Sequence, residues 1–526
     1  MRLEYAASLI DGKSIRGSRE LRQGENIIKL SLPEGVLEKV RGSLELELEE
    51  GEKFFINGYQ TWSYCPEYDK NSQMMPWHKL PGFIVRRYGI DRYGDYHFMD
   101  YPRKRGLAHG YSYCYFRRGD SYRLLASLDE RPGYTVFKYD SRAGLLEIER
   151  DCAGLETAGD FLAFQLYCAQ GSEDEVFDGW FKALGIKPRT EEKLTGYSSW
   201  YNRYKNIDEK SILSDLAGCA RVLKAGDLFQ IDDGWQLGVG DWDVNRKKFP
   251  DGLKPIVDRI HEKGLKAGLW LAPFGCRKGS RLMKEHPDWL LKVEGGPWHC
   301  GCNWGGFYSL DIDNKQAMEY LRRVFHTVLE DWGFDLVKLD FLYAAAPFGN
   351  KKETRAGRMI RAMEMLRDFC GDKLILGCGV PLMPAFGLVD YCRISCDVGL
   401  DWDNSWIMRR TNLERVSTKQ AIGNALFRRQ LNGRAFLSDP DVFFLREDNI
   451  KLTEREKKLL ADCCSLFGGM LLCSDNMAEY SPQALEQYRQ MLKNREAENI
   501  RVLADEDLAV EYELEGKKYG FRLSLD

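Results

Sequence analysis

Histidine is scarce in this chain: only seven occur among 526 residues, and they form neither an H-E-x-x-H pair nor a cluster of possible ligands. The fifteen cysteines have an odd total. The C-G-C run at 300–302 and the adjacent Cys463 and Cys464 lack the C-x-x-C spacing of a zinc site. We therefore predict no catalytic metal and no disulfide framework, as is typical of a reducing compartment.

An excess of charge of one sign is also missing. The 76 basic and 80 acidic residues give a formal net charge of -4, which does not have the basic character that binding to nucleic acid requires. No window approaches the roughly 18 apolar residues of a membrane span, and the start of the chain lacks the apolar segment of a signal peptide. The sequence thus predicts a soluble, cytoplasmic protein without nucleic-acid or membrane partners.

Short β-rich runs separated by Gly, Asp, Asn and Pro fill residues 1–190. They include "ENIIKLSL", "SLELELEE", "YTVFKYD" and "FLAFQLYCA", and they predict an N-terminal antiparallel β-sandwich domain. Within it, "FINGYQTWSYCPEY" crowds several aromatics around Asn57. We interpret this stretch as sandwich core, with a contribution to a neighbouring pocket as the alternative.

A different rhythm begins near residue 191 and continues to 480. Eight apolar runs alternate with amphipathic helical stretches, and the runs are "TGYSSWY", "DLFQIDD", "KAGLWLAPF", "LVKLDFLY", "KLILGCGVP", "DYCRISCDV", "RAFLSDPDV" and "GMLLCSD". Their number and length predict a (β/α)8 TIM barrel. A doubly wound open sheet is the alternative, but no G-x-G-x-x-G follows the first run. Residues 481–526 predict a short C-terminal β-element with a hairpin turning at Glu515–Gly516.

The predicted barrel strands end in carboxylates. Any one of them could begin a turn or cap a helix, but the C-terminal ends of barrel strands meet at one face, where active sites lie. Two adjacent carboxylates also repel each other unless a cation or hydroxyl donors share them. The acidic positions are Asp232 and Asp233 after strand two, Asp340 after strand four, Asp397 after strand six, and Asp439 and Asp441 after strand seven.

Side-chain alternation places Lys338 on the same side of its strand as Asp340, and Arg393 on the same side as Asp397. A cation close to a carboxylate keeps it ionised. One ionised carboxylate and a second carboxyl group nearby form the pair that a glycosidase needs. A separation of about 5–5.5 Å would give retention through a covalent intermediate.

Several tryptophans lie at or beyond the predicted strand ends. The long loop "GGPWHCGCNWGGFY" after strand three contains two of them and is rich in glycine. An indole can stack on the C–H face of a sugar. The alternative for each of these tryptophans is that its side chain fills the mouth of the barrel. The candidates are Trp235, Trp242, Trp270, Trp298, Trp304 and Trp402.

Seven motifs, in order along the chain, resemble glycoside hydrolase family 36, the melibiase-type α-galactosidases and their relatives. They are "FQIDDGWQ", "GLWLAPF", "HPDWLLK", "YSLDI", "DLVKLDFLYA", "CRISCDV" and "LSDPDVFFLR", and the N-terminal "NGYQTWS" resembles the same family's sandwich domain. The resemblance implies a sandwich, a catalytic barrel and a C-terminal β-domain. It also implies retaining, exo-acting hydrolysis of α-galactosides without a cofactor.

The resemblance further implies roles for individual residues. Asp340 would be the nucleophile and Asp397 the general acid/base, while Asp232 and Asp233 would bind the O4 and O6 hydroxyls. The remaining implied sugar contacts are Lys338, Arg393 and Cys378, the last near the C2 substituent. From the tryptophan pattern we also predict sugar contacts for Trp235, Trp270, Trp304 and Trp402. Trp62 would reach the pocket from the N-terminal domain across the interface of a homo-oligomer.

The chain departs from the family pattern at two places. "CGVPLMPAFG" replaces a glycine-rich run after strand five, and "KLDFLYAAA" lacks a "WDMNR"-like ending. An α-N-acetylgalactosaminidase or a raffinose-synthase-like α-galactosyl transferase therefore remains an alternative. A non-catalytic sugar-binding protein and a metal-dependent barrel hydrolase are more distant ones.

Overall fold

The computed structural model describes residues 1–74, 81–293, 295–504 and 508–525. Its N-terminal part is a ten-stranded antiparallel sheet. The strands are Arg2–Leu9, Ser14–Glu20, Gly24–Glu45, Lys53–Ile56, Leu107–Tyr111, Tyr113–Arg118, Ser121–Ser127, Tyr134–Asp140, Leu145–Asp151 and Glu156–Gly171. Helix Gly82–Tyr88 and the 3-10 turn Ile90–Arg92 lie in the connection between the fourth and fifth strands.

One long strand, Gly24–Glu45, joins the two halves of this sheet. Its first half pairs with Glu156–Gly171, and its second half pairs with Arg2–Leu9 and Leu145–Asp151. The strands therefore form one nearly closed antiparallel sheet, in which the two groups of strands share Gly24–Glu45. The sheet nearly closes where the Tyr111 N–H donates to the Asn57 carbonyl over 2.6 Å.

Eight parallel runs of chain form the second sheet. They are Leu194–Ser198, Leu228–Ile231, Lys266–Leu271, Leu336–Leu339, Leu374–Gly377, Tyr391–Arg393, Leu437–Asp439 with Val442–Phe443, and Met470–Cys473, which we call barrel strands one to eight. The seventh is interrupted at Pro440 and Asp441. Its first part pairs with strand six and its second part with strand eight, which pairs with strand one. The strand order thus follows the circuit of an eight-stranded barrel, and all eight predicted runs supply strands.

Helices lie before, between and after the barrel strands, and the first of them, Glu173–Leu184, packs against the N-terminal sheet. Their bounds are Glu173–Leu184, Trp200–Arg203, Glu209–Cys219, Lys254–Glu262, Arg281–Glu285, Lys315–His326, Arg355–Cys370, Leu382–Ala385, Trp406–Thr411, Thr418–Phe427, Glu454–Phe467 and Pro482–Asn494. Local capping explains where several begin. The Ser172 hydroxyl and the Glu175 carboxylate cap one helix reciprocally, and Thr453 with Glu456 caps another in the same way. After strand five only the short helix Leu382–Ala385 forms, so this connection stays close to the strand ends.

Small hairpins extend from the same edge of the barrel. One follows strand two, and three more strand pairings occupy the long loop after strand three. Their strands are Gln236–Gly238, Asp241–Val244, Gly275–Arg277, Lys292–Val293, Gly296–Pro297, His299–Gly301 and Phe307–Ser309. This loop carries Trp304 over the strand ends.

The C-terminal residues form a three-stranded antiparallel sheet of Glu498–Ala504, Leu508–Leu514 and Lys517–Leu523. Its second hairpin turns at Glu515 and Gly516, as predicted, and both have positive φ angles of 51° and 74°. No helix in the described part of the chain is both long and apolar enough to cross a membrane. All fifteen cysteines are free thiols, and Cys302 is exposed.

Candidate active site

Asp340 lies directly after strand four and is almost completely buried, with 8% of its surface exposed. The Trp270 indole N–H donates to its Oδ2 over 3.1 Å, and the Phe341 backbone N–H donates to its Oδ1 over 2.8 Å. Burial raises the pKa of Asp340, with Lys338 opposing and the negative charge of Asp397 adding to the rise. The two predicted catalytic carboxylates thus lie close enough to interact electrostatically.

The hydrogen bond from Trp270 gives a direct prediction for the Trp270→Phe variant. The indole donor lowers the pKa of Asp340, so its loss raises that pKa further. If Asp340 acts as the nucleophile that we predict, it must be ionised, and the acidic limb of the kcat/KM profile should then move to higher pH. Near neutral pH, kcat/KM should fall about 10-fold, as for one hydrogen bond to a charged group.

The matched control is Trp289→Phe, which removes an indole donor from Gln316 instead. It should leave the pH profile unchanged. A Trp270→Phe profile that superimposes on the wild type would show that this hydrogen bond does not tune Asp340.

Asp232 follows strand two and is paired with a buried lysine. Lys338 Nζ lies 2.9 Å from Asp232 Oδ2, and the Gln230 amide donates to the same oxygen over 3.2 Å. Burial lowers the pKa of Lys338 and is the largest single influence, but the charges of Asp232, then Asp340 and Cys378, together raise that pKa above its ordinary value. Lys338 therefore stabilises the first of the two adjacent carboxylates while it also lies near Asp340.

Asp233 has a separate set of partners. The Gln236 amide donates to its Oδ1 over 2.6 Å and the Trp304 indole to its Oδ2 over 2.9 Å. Lys205 Nζ lies 3.5 Å from the same Oδ2 and is half-exposed. The repulsion between Asp232 and Asp233 is thus relieved by a different lysine on each side. Our sequence reasoning missed Gln236 and Lys205; Gln236 lies inside the quoted "FQIDDGWQ", whereas no pattern marks Lys205.

Arg393 on strand six is shared by three carboxylates. Its Nη1 lies 2.8 Å from Asp397 Oδ1, its Nε 3.1 Å from Asp439 Oδ2 and its Nη2 2.8 Å from Asp441 Oδ1. Arg393 and two of these acids are buried, but the Asp397 side chain is 41% exposed. Among the three acids, Asp397 is therefore the one that solvent can reach.

Asp441 accepts two hydrogen bonds in addition to its ion pair with Arg393. The Tyr201 hydroxyl donates to its Oδ2 over 2.6 Å, and the Val398 N–H donates to the same oxygen over 2.9 Å. Burial raises the pKa of Asp441 to about 6, although Arg393 opposes this. Tyr201, in the short helix Trp200–Arg203 after strand one, is a further residue that our sequence reasoning missed.

Unusual backbone conformations gather around these side chains. Tyr204, Trp304, Phe341 and Asp441 have positive φ angles of 49°, 56°, 53° and 79°, which non-glycine residues seldom adopt. Phe341 follows Asp340, and Trp304 binds Asp233. Such backbone strain is retained only where many surrounding contacts hold the conformation, and this situation is common at functional sites.

Trp62 reaches the strand ends from the N-terminal domain of the same chain. Its indole N–H donates to Cys378 Sγ over 3.3 Å. Its ring packs edge-on against the Phe341 ring, with 5.0 Å between the ring centroids. The prediction that Trp62 crosses an oligomer interface is wrong, because the Asn57–Cys65 segment folds back onto its own barrel. Cys378 is buried, and its thiol also forms a hydrogen bond that lowers the pKa of Asp340.

The other tryptophans divide into two groups. Trp270 and Trp304 bind the site carboxylates, as described above. Trp235 is completely buried, and its N–H donates to the Trp270 carbonyl over 2.9 Å. The prediction that Trp235 contacts the sugar is therefore wrong, because it supports Trp270 from beneath. Trp402 is half-buried in the loop after strand six.

Two further tryptophans raised by the sequence also lie away from the carboxylates. Trp242 is buried against the ring of Trp235, and Trp298 packs under the guanidinium of Arg92. Among the described residues, no three His, Cys, Asp or Glu side chains are placed to hold a metal ion. The site carboxylates pair with Lys205, Lys338 and Arg393 instead.

Comparison with known proteins identifies related sequences. The family model described as Melibiase matches residues 185–364. The α-galactosidase Mel36A of Lactobacillus acidophilus is 36% identical over 150 residues, which are 27% of this chain and 20% of that protein. AgaA of Geobacillus stearothermophilus is 31% identical over 159 residues, which are 29% of this chain and 21% of that protein. The matches thus span about a fifth of the length of these curated relatives.

A solved structure resembles nearly the whole chain. It is TtGalA, an α-galactosidase from Thermus thermophilus in complex with p-nitrophenyl α-D-galactopyranoside. The TM-score is 0.75 at 27% identity, and the match covers 94% of this chain and 98% of that one. Together with the Melibiase match, this similarity confirms the resemblance predicted from the seven motifs.

Proposed function

We propose that this chain, whose residues 185–364 match the Melibiase family model, is a retaining, exo-acting α-galactosidase that releases terminal α-linked galactose. The observation that carries this proposal is the relation between Asp340 and Asp397. Asp340 is buried after strand four and held by Trp270, whereas Asp397 is exposed after strand six and held by Arg393. TtGalA, whose structure contains a nitrophenyl α-galactoside, supports the choice of substrate.

In the proposed reaction, Asp340 attacks the anomeric carbon while Asp397 protonates the departing glycosidic oxygen. The product of this step is a galactosyl ester on Asp340. Asp397 then removes a proton from a water molecule, which attacks the anomeric carbon and releases Asp340. Two inversions leave the configuration at the anomeric carbon unchanged.

The different exposures of the two carboxylates suit these roles. Asp340 is 8% exposed and receives two hydrogen bonds, which fix its oxygens for attack on a bound sugar. The Asp397 side chain is 41% exposed, so it can meet both the leaving group and the incoming water. Asp232 and Asp233 would bind O4 and O6, because their oxygens accept hydrogen bonds and their charges are already balanced.

A panel of 4-nitrophenyl glycosides tests this proposal. We expect turnover of the α-galactoside at least about 100-fold above that of the α-glucoside, since buried polar groups left unpaired by the wrong sugar are costly. The β-galactoside serves as the control for anomeric selectivity. Proton NMR of the first product should show α-galactose before mutarotation.

Other outcomes would point to the alternatives. Preferred turnover of the N-acetylgalactosaminide would identify an α-N-acetylgalactosaminidase, and new oligosaccharides at high acceptor concentration would identify a transferase. β-Galactose as the first product would contradict retention. Galactose binding by calorimetry without turnover on the panel would favour a sugar-binding protein. The homo-oligomer, the cytoplasmic location and the three domain limits stay predictions.

A further inference from the structure

Arg428 is a completely buried arginine that lies directly after helix Thr418–Phe427. Each of its five N–H groups has an acceptor. Nε donates to Asn57 Oδ1 over 3.0 Å, and Nη1 donates to the Thr61 and Ile394 carbonyls over 2.7 and 2.8 Å. Nη2 donates to the Gln60 carbonyl and to Cys65 Sγ, both over 3.1 Å.

Four of these five acceptors belong to one loop of the N-terminal domain. The loop runs from Asn57 to Cys65 and contains the "NGYQTWS" motif, whose crowded aromatics we interpreted as sandwich core. The fifth acceptor is the carbonyl of Ile394, the residue that follows Arg393 on strand six. Arg428 thus joins the N-terminal loop to the strand that carries the arginine shared by three carboxylates.

The other side of the Asn57–Cys65 loop contacts the end of strand five. The Thr61 N–H donates to the Val380 carbonyl over 3.0 Å, and the Gly379 N–H donates to Thr61 Oγ1 over 2.9 Å. Trp62 then donates to Cys378. A Cβ at Gly379 would lie 2.9 Å from the Trp62 ring, so the loop and strand five fit without spare room.

We propose that Arg428 is a positioning residue: it fixes the Asn57–Cys65 loop so that Trp62 covers Cys378 and packs beside Phe341, next to the carboxylate of Asp340. Through this arginine a single chain completes its own pocket. The kinetic part of this inference rests on the proposed glycosidase function, whereas the structural part does not.

The chemistry of Arg428 supports positioning over charge pairing. Among the described residues, no carboxylate lies within ion-pair distance of its guanidinium. A buried cation without an anion is costly, and it is tolerated here because every N–H is satisfied. A lysine has three donors on one nitrogen and cannot reach all five acceptors, so Arg428→Lys would release part of the loop.

The first test uses thiol labelling and needs no enzymatic activity. Arg428→Lys and wild type are treated with N-ethylmaleimide in the folded state, and the labelled cysteines are mapped by peptide mass spectrometry. We expect labelling of the buried Cys378 to become at least about 10-fold faster in the variant, because Trp62 no longer covers it. The exposed Cys302 serves as the internal reference and should react at the same rate.

Arg429→Lys is the matched control for a general loss of stability. Arg429 is the neighbouring residue, and it pairs with Glu173 and Tyr122 away from the loop. At equal fractions of folded protein, this variant should not accelerate the labelling of Cys378. Equal labelling in both lysine variants, or slow labelling in both, would overturn the proposal.

The second test is a double-mutant cycle on kcat/KM for the α-galactoside. Arg428→Lys and Trp62→Ala should each lower kcat/KM, by up to about 100-fold for a misplaced pocket. If Arg428 acts through Trp62, the double variant should be no worse than Trp62→Ala. Additive losses would overturn this coupling. Absence of wild-type turnover would reject the proposed function alone, since the labelling result would still stand.

Discussion

Asp340→Gly should abolish hydrolysis of 4-nitrophenyl α-galactoside, with a loss in kcat on the order of 10⁴-fold or more. The reason is structural: Asp340 is the buried carboxylate that Trp270 and the Phe341 backbone hold in place. The glycine leaves a space at the position of the missing carboxylate. Azide should enter that space, attack the anomeric carbon from the nucleophile's side and restore turnover.

The product of the azide reaction identifies each carboxylate's role. Azide acting in place of the nucleophile inverts the anomeric carbon and gives β-galactosyl azide. In Asp397→Gly the covalent intermediate still forms from an activated substrate, and azide attacks that intermediate to give α-galactosyl azide. NMR of both products distinguishes the two positions. β-Galactosyl azide from Asp397→Gly and none from Asp340→Gly would reverse the assignment.

Asp232→Asn and Asp233→Asn should each lower kcat/KM for the α-galactoside by about 10²–10³-fold. Both changes keep the shape of the side chain but remove a charged acceptor for a sugar hydroxyl. The ratio of α-galactoside to α-glucoside turnover should therefore fall as well. Measurement of kcat/KM for both nitrophenyl substrates gives the two quantities together.

The two variants should differ in stability. Asp232→Asn leaves Lys338 buried without its closest anion, which costs about 3–5 kcal/mol. Asp233→Asn loses the half-exposed Lys205 and one of the two hydrogen bonds from Gln236 and Trp304, so urea unfolding should show a smaller change of about 1–3 kcal/mol. Asp243→Asn, at an exposed aspartate paired with Arg281, is the control for both measurements.

A different result would assign these carboxylates another role. If Asp232→Asn prevented formation of the covalent intermediate while Asp340→Asn did not, Asp232 would be the nucleophile. Mass spectrometry of protein trapped with a slow fluorinated galactoside detects that intermediate directly.

Parallel strands made much of the site predictable from sequence. Each apolar run ends at the same edge of the barrel, so Asp232, Asp340 and Asp397 had to lie near one another. Alternation along strand four likewise placed Lys338 on the side of Asp340. It did not show that the ammonium group contacts Asp232 on another strand, because that contact depends on the barrel's register.

Contacts between loops were beyond such reasoning. Lys205 and Tyr201 follow strand one without any periodic pattern, yet tertiary packing brings them to Asp233 and Asp441. Burial was equally hidden for Trp235, because a tryptophan beyond a strand end can face either the pocket or the core. The sequence pattern also does not show that Gly24–Glu45 continues as one strand across Pro33 and Gly35, two residue types that usually interrupt strands.

The loop held by Arg428 also determines whether the barrel can be separated from the rest of the chain. A shortened chain that began near residue 190 would lose Asn57, Gln60, Thr61 and Cys65, and with them four of the five acceptors of that guanidinium. It would also uncover Cys378 and one side of Phe341. We therefore expect the barrel not to fold as an independent module, and recombination between relatives should exchange the N-terminal loop together with strands five and six.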